Sequence, residues 1–367
     1  MRNNAPMLDA TVPAACLLLF GAGLAAMYSV SLAQNTGWAG KQLLWAVLSA
    51  AAGGAVLACS LSSLRRFACP LMLAVIAALA ASFFFEPRNG AQRWIAVGAW
   101  SLQPSEFCKW AALLLAAHYA SRPQYRRRQT AFVLPIAAWL CLPLGLIALQ
   151  PDFGALLLIS FVALAVLFLS GLSLRWVIAL CVLLVVAAVF LAWAEPYRMQ
   201  RLGSFIDPFQ SEDGGYNQKH ALIAFTLGGF WGAGIMRGIQ QWGYLPEPHN
   251  DFIIAIIGEE LGLTGFLAVC ALFFYIVQRA VAIGGAAEKR GEIFGALYAY
   301  GCASMLGAQA LINIGGNVSL LPFKGFTLPL VSYGGSSLLA TGLMLGTLMR
   351  VDYENRQDSL QSKEARP

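Results

Sequence analysis

Apolar runs long enough to cross a lipid bilayer recur along this chain, and they constrain its fold more than any other feature. A membrane-spanning helix needs roughly 17 to 25 mostly apolar residues. Eight runs reach or approach that length: residues 11–33, 42–59, 67–85, 131–149, 153–169, 174–194, 252–277 and 293–314. Two shorter runs, 107–119 and 338–349, reach it only if the polar residues just before them enter the membrane. The pattern predicts an all-α integral membrane protein, a polytopic bundle of ten transmembrane helices.

The composition excludes a water-soluble globular domain. Only 11% of the 367 residues are charged and 59% are hydrophobic, whereas a soluble domain carries about 25% charged residues. The net charge of +6 does not indicate a nucleic-acid partner, because the basic residues lie in short loops between apolar runs, where they set membrane orientation. The eight cysteines show neither a CxxC pair nor a metal-binding spacing, so we interpret them as packing residues.

The distribution of lysine and arginine predicts how the bundle is oriented. In a ten-span order both termini lie on one side, and that side holds most of the 24 lysines and arginines. Short basic loops stay in the cytoplasm, so we expect a multi-pass protein of the cytoplasmic (inner) membrane with both termini cytoplasmic. Residues 1–351 then form a single transmembrane domain, whose large extracytoplasmic loop, 195–251, joins helices 7 and 8. The polar tail 352–367 is predicted to be cytoplasmic and disordered.

A group of ionisable residues opens the eighth predicted span. Asp251 is either the N-cap of the following helix or a half-desolvated carboxylate at the outer lip of the membrane that can accept a proton. Glu259 lies about 12 Å deeper and about 80° round that helix, where it could share the same cavity. Glu260 points away from Asp251. Adjacent acids at this depth are more often partners of buried donors than catalysts, so we assign Glu259, Glu260 and the nearby His249 a supporting role.

Charged residues around the fourth span form a second group. Glu106 and Lys109 are three residues apart, so on a helix they share a face and can pair. That pair is either structural or part of an active site. Arg93, beside a tryptophan, is either an interface anchor or an anion contact. Asp152 opens the sixth span in a tight turn and is most simply an N-cap.

Two further polar segments lie on the predicted outer face. The long loop carries Arg198 and Arg201, and its glycines allow the close backbone approach that suits phosphate, although glycine-rich loops alone are a weak signal. Between the ninth and tenth spans, a segment rich in glycine and proline carries Lys324, Ser332 and Ser336. Polar backbone between spans must be buried in protein or line a wet cavity. We therefore include these five residues among the candidates for substrate binding.

Read together, these strings resemble the SEDS family (shape, elongation, division and sporulation), membrane proteins that polymerise peptidoglycan. The resemblance extends from about residue 90 to residue 338, and its anchors are GAQRW, QPSEFCK, QPDFG, YLPEPHNDF, GEELG and LLPFKGFTLPLVSYGGSS. The last motif is closer to the division members of the family than to the elongation members. The resemblance implies ten spans, which matches the count from loop charge. It also implies an essential catalytic aspartate at Asp251 and a Glu–Lys pair at Glu106 and Lys109.

The family implies a glycosyltransferase whose substrate is lipid II, a disaccharide-peptide on undecaprenyl pyrophosphate. An α-linked pyrophosphate that becomes a β-linked glycan requires inversion, and an inverting step needs a carboxylate base, a role that we assign to Asp251. The leaving pyrophosphate needs positive charge near it. The candidates are Lys109, Arg93, Lys324, Arg198 and Arg201, or a divalent metal. No metal-binding motif supports that metal, and no other cofactor is expected.

Two other interpretations remain open. A lipid II flippase would also use charge inside the membrane, but a carrier places its site near the midplane, and the polar residues here cluster at the outer lip. A scaffold that only recruits divisome proteins would tolerate substitution of the outer-face charges. The family further implies membrane lipids and a single-span class B penicillin-binding protein, a transpeptidase, as partners, together with other divisome proteins. No nucleic-acid partner is expected.

Overall fold

The computed structural model describes residues 8–87, 91–98, 100–123, 133–193, 215–321 and 325–364. Within this part of the chain there are eleven α-helices and one two-stranded hairpin. The helices are α1 (Thr11–Ala33), α2 (Trp38–Ala58), α3 (Leu61–Ser82), α4 (Pro104–Ala120), α5 (Val133–Leu149), α6 (Phe153–Leu169), α7 (Leu174–Trp193), α8 (Tyr216–Gly228), α9 (Ile253–Lys289), α10 (Ile293–Asn317) and α11 (Gly335–Glu364). Strand β1 (Ile95–Val97) pairs antiparallel with β2 (Trp100–Leu102).

A helix covers each of the ten predicted spans, and the bounds of α1 and α6 agree with the prediction at both ends. By length and composition, four of these helices (α1, α2, α3 and α9) could cross a bilayer. Shorter apolar helices are α5, α6 and the start of α7. Helices suit lipid because they satisfy their own backbone hydrogen bonds. The all-helical membrane architecture is confirmed, whereas the number of crossings and their orientation remain predictions.

Two short elements in the predicted outer segments were not expected, because no apolar run marks either of them in the sequence. The hairpin β1–β2 lies in the second half of the segment between α3 and α4, and α8 lies in the second half of the long loop. Both candidate residues of the long loop, Arg198 and Arg201, lie outside the described residues. The predicted loop is therefore a structured connection from residue 215 onward.

Helix α9 is interrupted, where we expected a continuous eighth span. Gly262 has φ of 68° and ψ of −164°, a conformation that glycine adopts readily and residues with a Cβ atom rarely adopt. The loop after α8 packs against the break. The amide of Ala233 donates to the carbonyl of Glu259 at 2.9 Å, and the amide of Gly234 donates to the next carbonyl at 3.0 Å. A broken helix inside a membrane bundle is stable only where protein groups satisfy its free backbone, and this loop provides them.

Helix α11 continues far beyond residue 352, so the prediction of a disordered tail is wrong. Ion pairs one helical turn apart support the extension: Arg350 with Glu354 and Asp352 with Arg356, each at 2.8 Å. Asn355 also donates through Nδ2 to a main-chain carbonyl of α9 at 3.0 Å. The polar residues are ordered because groups on the same helix and on neighbouring helices pair with them, which composition alone does not reveal.

Helices α2 and α11 pack with their backbones in near contact. A Cβ atom placed on Gly53 would lie 2.7 Å from the carbonyl oxygen of Gly342, so a larger residue does not fit there. Ser49 of α2 donates through Oγ to the carbonyl of Leu338 at 2.6 Å. Small and hydroxylated residues allow such close approach in membrane bundles. This packing brings the first turns of α2 and α11 together at one end of the bundle, where a cavity opens.

Candidate active site

A cavity of about 500 Å³ lies at the end of the bundle where α2, α4, α6, α9 and α11 begin. Its walls come from the first turns of those helices, from the hairpin β1–β2 and from the loop that leads into α11. The charged residues of the lining are Lys41, Arg93, Glu106, Asp152 and Asp251. The other polar and aromatic lining residues are Trp45, Trp94, Trp100, Ser101, Gln103, Asn250, Phe326, Thr327, Tyr333, Ser336 and Ser337. A cavity on which a few polar groups converge is the default form of a binding site.

Five helices present their N-terminal ends to this cavity. The lining includes Lys41 in the first turn of α2, Glu106 in that of α4, Asp152 at the N-cap of α6, Asp251 just before α9, and Ser336 in the first turn of α11. The N-terminus of a helix carries a partial positive charge and amide groups without intrahelical partners. Several such termini around one cavity favour a bound anion, and phosphate groups are among the anions that helix N-termini bind.

Asp251, the predicted catalytic residue, is half-buried and lines the cavity. Helix α9 begins after Phe252, which occupies the N-cap position and provides no side-chain cap. The interpretation of Asp251 as an N-cap is therefore wrong. A Cβ atom on Gly325 would lie 2.6 Å from Oδ2 of Asp251, so the loop before α11 can approach the carboxylate this closely only because glycine stands at that position.

Two asparagines that sequence reasoning did not assign hold the backbone of Asp251. Asn313 and Asn317, one turn apart on α10, donate through Nδ2 to the carbonyl of Asp251 at 3.1 Å and 2.9 Å. Both side chains are buried, and Asn313 also donates to the carbonyl of Phe326. The sequence did contain a signal for them: two asparagines spaced i, i+4 at the end of an apolar run. Polar side chains at that depth are costly unless they form specific hydrogen bonds.

Glu106 and Lys109 form the expected ion pair. The Nζ atom of Lys109 lies 2.7 Å and 2.8 Å from the two carboxylate oxygens of Glu106 and 3.3 Å from Oε1 of Gln309. The side chain of Lys109 is 1% exposed and that of Glu106 is 12% exposed. Only Glu106 reaches the cavity lining. Lys109 thus neutralises and orients Glu106 from the side away from the cavity. Because Lys109 does not line the cavity, it is not positioned to contact a bound pyrophosphate directly.

Lys109→Met should destabilise the protein, because it leaves the half-buried Glu106 carboxylate without its cation. Breaking one side of a buried ion pair costs about 3–5 kcal/mol, whereas replacing both partners is often nearly neutral. Thermal unfolding in detergent should therefore show a much lower midpoint for Lys109→Met than for the double variant Glu106→Gln/Lys109→Met. Equal midpoints for the single and the double variant would show that an unpaired Glu106 carboxylate does not destabilise the protein.

The cations expected around the site have different positions. Arg93 lines the cavity, and its Nε atom is buried without a hydrogen-bond partner, which leaves a donor available for an anion. Lys41, which sequence reasoning did not select, also lines the cavity and is exposed. Lys324 lies outside the described residues, directly before the segment that lines the cavity from Gly325 onward. Arg93 and Lys41 are therefore the described cations that a bound anion can meet.

Asp152 is confirmed as the N-cap of α6, since its Oδ1 accepts from the amide of Ala155 at 3.2 Å. Its other oxygen accepts from Nε2 of Gln103 at 3.0 Å and from Oγ of Ser105 at 2.9 Å. Of the two predicted serines, Ser336 lines the cavity. Its Oγ accepts from the amide of Gln103 at 2.9 Å. These bonds tie the starts of α4, α6 and α11 to one another.

Ser332 does not line the cavity. Its hydroxyl accepts from the amide of Leu328 at 2.8 Å, which closes a turn in the loop before α11. The side chain is buried. We therefore interpret Ser332 as a residue that shapes the loop, and not as a direct substrate contact.

Glu259 and Glu260 are buried and do not line the cavity. Oε1 of Glu259 accepts from the amide of Ile239 at 2.6 Å, and Oε2 accepts from the amide of Gln240 at 3.2 Å. Oε1 of Glu260 accepts from the amide of Met236 at 2.9 Å and from the hydroxyl of Ser29. Both carboxylates thus hold the loop that packs into the break of α9.

His249 joins three parts of the site, and it is buried. Its ring stacks on Trp38 at a centroid distance of 3.7 Å and meets the edge of Tyr333 at 5.7 Å. Its carbonyl accepts from the amide of Tyr333 at 2.9 Å. Burial lowers the pKa of His249 from 6.5 to about 4, so the imidazole is neutral at physiological pH. The same burial raises the pKa of the Tyr333 phenol.

The stability of this region should decrease in acid. An unfolded chain protonates His249 near its ordinary pKa of 6.5, whereas the folded protein excludes that proton down to a pKa of about 4. The contribution is complete above pH 6.5 and is lost as the pH falls from 6.5 towards 4. Thermal midpoints at pH 7.5 and pH 5 should differ less for His249→Phe than for the wild type. The same difference in both proteins would contradict this assignment.

Within the described ranges, no group of three or more His, Cys, Asp or Glu residues is arranged to hold a metal ion. The carboxylates of Glu106, Asp152 and Asp251 line one cavity but do not form such a group. A divalent metal therefore remains an open candidate that these residues do not by themselves support.

A profile of the family described as "Cell cycle protein", which unites FtsW, RodA and SpoVE, matches residues 10–357 of this chain. That match covers nearly the whole sequence, including every segment that lines the cavity. This protein belongs to that family. The resemblance that the motifs indicated is thereby confirmed.

Members of this family from other bacteria are similar to the chain over most of their length. "Probable peptidoglycan glycosyltransferase FtsW" of Nitrosomonas europaea is 37% identical, with 96% of this chain and 94% of the relative covered. The protein of the same name from Aromatoleum aromaticum is 40% identical, with 93% of this chain and 86% of the relative covered.

Two solved structures share the fold. One, described as "Structural coordination of polymerization and crosslinking by a peptidoglycan synthase complex", has a TM-score of 0.78 at 26% identity and covers 96% of this chain and 99% of its own. The rod shape determining protein RodA of Thermus thermophilus has a TM-score of 0.70 at 26% identity, and the match covers 97% of this chain and 100% of the RodA chain. This family member is therefore a multi-pass membrane protein with the helical architecture of its relatives.

Proposed function

We propose that this protein is a peptidoglycan glycosyltransferase that polymerises lipid II into glycan strands at the outer face of the cytoplasmic membrane. The observation that carries the proposal is the position of Asp251, a carboxylate at the wall of a cavity formed by five helix N-termini. Such a cavity suits a substrate that combines a hydroxyl to be deprotonated with a pyrophosphate to be expelled. The names of the family members from Nitrosomonas and Aromatoleum state the same activity.

The proposed reaction is a single inverting displacement. The 4-hydroxyl of the acceptor sugar attacks the anomeric carbon of the donor, a new C–O bond forms, and the bond from that carbon to the pyrophosphate oxygen breaks. The undecaprenyl pyrophosphate departs with the electron pair of the broken bond. Asp251 accepts the hydroxyl proton as general base, which fits an inverting transfer with oxocarbenium character. The hydrogen bonds from Asn313 and Asn317 keep the main chain of Asp251 in place.

The leaving pyrophosphate would be stabilised by positive charge that is already in position. Arg93 and Lys41 line the cavity, and the surrounding helix N-termini add partial positive charge. Lys324, Arg198 and Arg201 remain candidates from the sequence. Lys109 supports the site indirectly through Glu106.

The family and its relatives also support a cellular role and a partner class. We infer that the strands serve septal cell-wall synthesis in cell division, because the similar proteins carry the name FtsW. A structural relative belongs to a peptidoglycan synthase complex that couples polymerization and crosslinking. We therefore infer a single-span class B penicillin-binding protein as partner, with lipid II as substrate and both termini in the cytoplasm.

Reconstitution in detergent tests the activity. Purified protein with its transpeptidase partner should convert lipid II into glycan strands, which are resolved by gel electrophoresis. Detergent micelles have no two sides, so a lipid II flippase would leave the substrate unchanged. A scaffold would also form no glycan. Absence of glycan with an active preparation of the partner would overturn the proposal.

A further inference from the structure

The arginines at the end of the bundle opposite the cavity fall into two classes. One class pairs with carboxylates: Arg279 with Asp9, Arg290 with Asp358, Arg350 with Glu354, and Arg356 with Asp352. The other class, near the start of α3 and the end of α4, is different. Among the described residues, Arg65, Arg66 and Arg122 have no carboxylate within ion-pair distance. No acidic side chain in the described part of the chain therefore neutralises the positive charge of this second group.

Two of these arginines are held in place by aromatic rings. The guanidinium of Arg122 lies 4.9 Å from the ring centroid of Tyr119, and that of Arg65 lies 5.9 Å from the ring centroid of Phe294. Both side chains are half-buried. Cation–π contacts fix the direction of a guanidinium without cancelling its charge. The two cations are thus oriented and remain available to an anion.

A histidine lies between them and cannot act as their counter-ion. Nη2 of Arg122 lies 2.6 Å from Nε2 of His118. A guanidinium can only donate, so Nε2 of His118 accepts and the imidazole is neutral. Cys69, one helical turn after Arg65 on α3, has its Sγ atom 3.7 Å from the hydroxyl of Tyr119. Arg122 packs on the ring of that tyrosine, so the two guanidinium groups lie in one neighbourhood. His118 is buried and fixes the position of Arg122.

We propose that Arg65 and Arg122 form a binding site for the phosphate of an anionic phospholipid headgroup. Two oriented guanidinium groups match the oxygens of a phosphodiester, which they can bind in forked geometry. The occupant is a lipid because the site lies where α3 begins and α4 ends, at the membrane face away from the cavity, where phospholipid headgroups are located. Basic sites between helices at a membrane face bind anionic headgroups in this way. The site is independent of the glycosyltransferase proposal.

Native mass spectrometry of the purified full-length protein tests this site. We expect the wild type to bind phosphatidylglycerol roughly tenfold more tightly than phosphatidylcholine. The double variant Arg65→Gln/Arg122→Gln should lose that preference and keep its affinity for phosphatidylcholine. Arg175→Gln is the matched control, because Arg175 is an exposed arginine at the start of α7, at the same end of the bundle. It should retain the preference within about twofold.

Three outcomes would overturn the proposal: no headgroup preference in the wild type, an unchanged preference in the double variant, or an equal loss in Arg175→Gln. Displacement of phosphatidylglycerol by inorganic phosphate would also overturn it, since the site would then bind a free anion. If the double variant fails to fold, the single variants Arg65→Gln and Arg122→Gln replace it, and an unchanged preference in both would overturn the proposal.

Discussion

Asp251→Asn is expected to abolish glycan polymerisation while leaving a folded, membrane-inserted protein. An asparagine has the same shape but cannot accept the proton of the attacking hydroxyl, and loss of a general base costs about 10²–10⁴ in rate. The fold should tolerate the change because Asn313 and Asn317 bind the main-chain carbonyl of residue 251, not its side chain. The close approach of Gly325 is also kept.

The measurement is the rate of glycan formation from lipid II in detergent, with thermal unfolding recorded for each variant. Asp152→Asn is the matched control, since Asp152 also lines the cavity. Its amide oxygen can still cap α6 at Ala155, so its loss of rate should be much smaller than that of Asp251→Asn. Near wild-type polymerisation by Asp251→Asn would remove the base from the mechanism.

Glu259→Leu should destabilise the protein strongly. Its carboxylate accepts from the amides of Ile239 and Gln240 inside the bundle. Each buried amide that is left without an acceptor costs about 1–3 kcal/mol, so a leucine should lower the free energy of unfolding by several kcal/mol. The loop would also lose its attachment beside the break at Gly262. We therefore expect a much lower thermal midpoint and faster amide exchange in residues 229–242.

Glu259→Gln is the matched control for that experiment. Glutamine keeps one acceptor oxygen but has no charge, so it should retain part of the midpoint that leucine loses. An equal loss in both variants would mean that the negative charge, and not the hydrogen bonds, holds the loop. Unchanged exchange in Glu259→Leu would mean that the loop has other sufficient anchors.

Several local features were predictable from the sequence because they depend on neighbours along the chain. The Glu106–Lys109 pair follows from a spacing of three on a helix, and the Asp152 cap follows from an acidic residue just before an apolar run. The structure agrees with both. The same local reasoning failed at Asp251, where an aspartate before an apolar run also looked like a cap. Its neighbour Phe252 takes that position instead.

The amino-acid sequence by itself determined that this protein is a helical membrane bundle and which ten segments form the helices of its predicted spans, because the length and apolarity of a run decide whether lipid can surround it. The tertiary structure alone decided the break at Gly262, the clamp of Asn313 and Asn317 on Asp251, and the withdrawal of Lys109 behind Glu106. Each of these depends on groups that are far apart in the chain and adjacent in space. These contacts join different helices and loops, and the residue pattern within one helix does not identify the segment against which it packs.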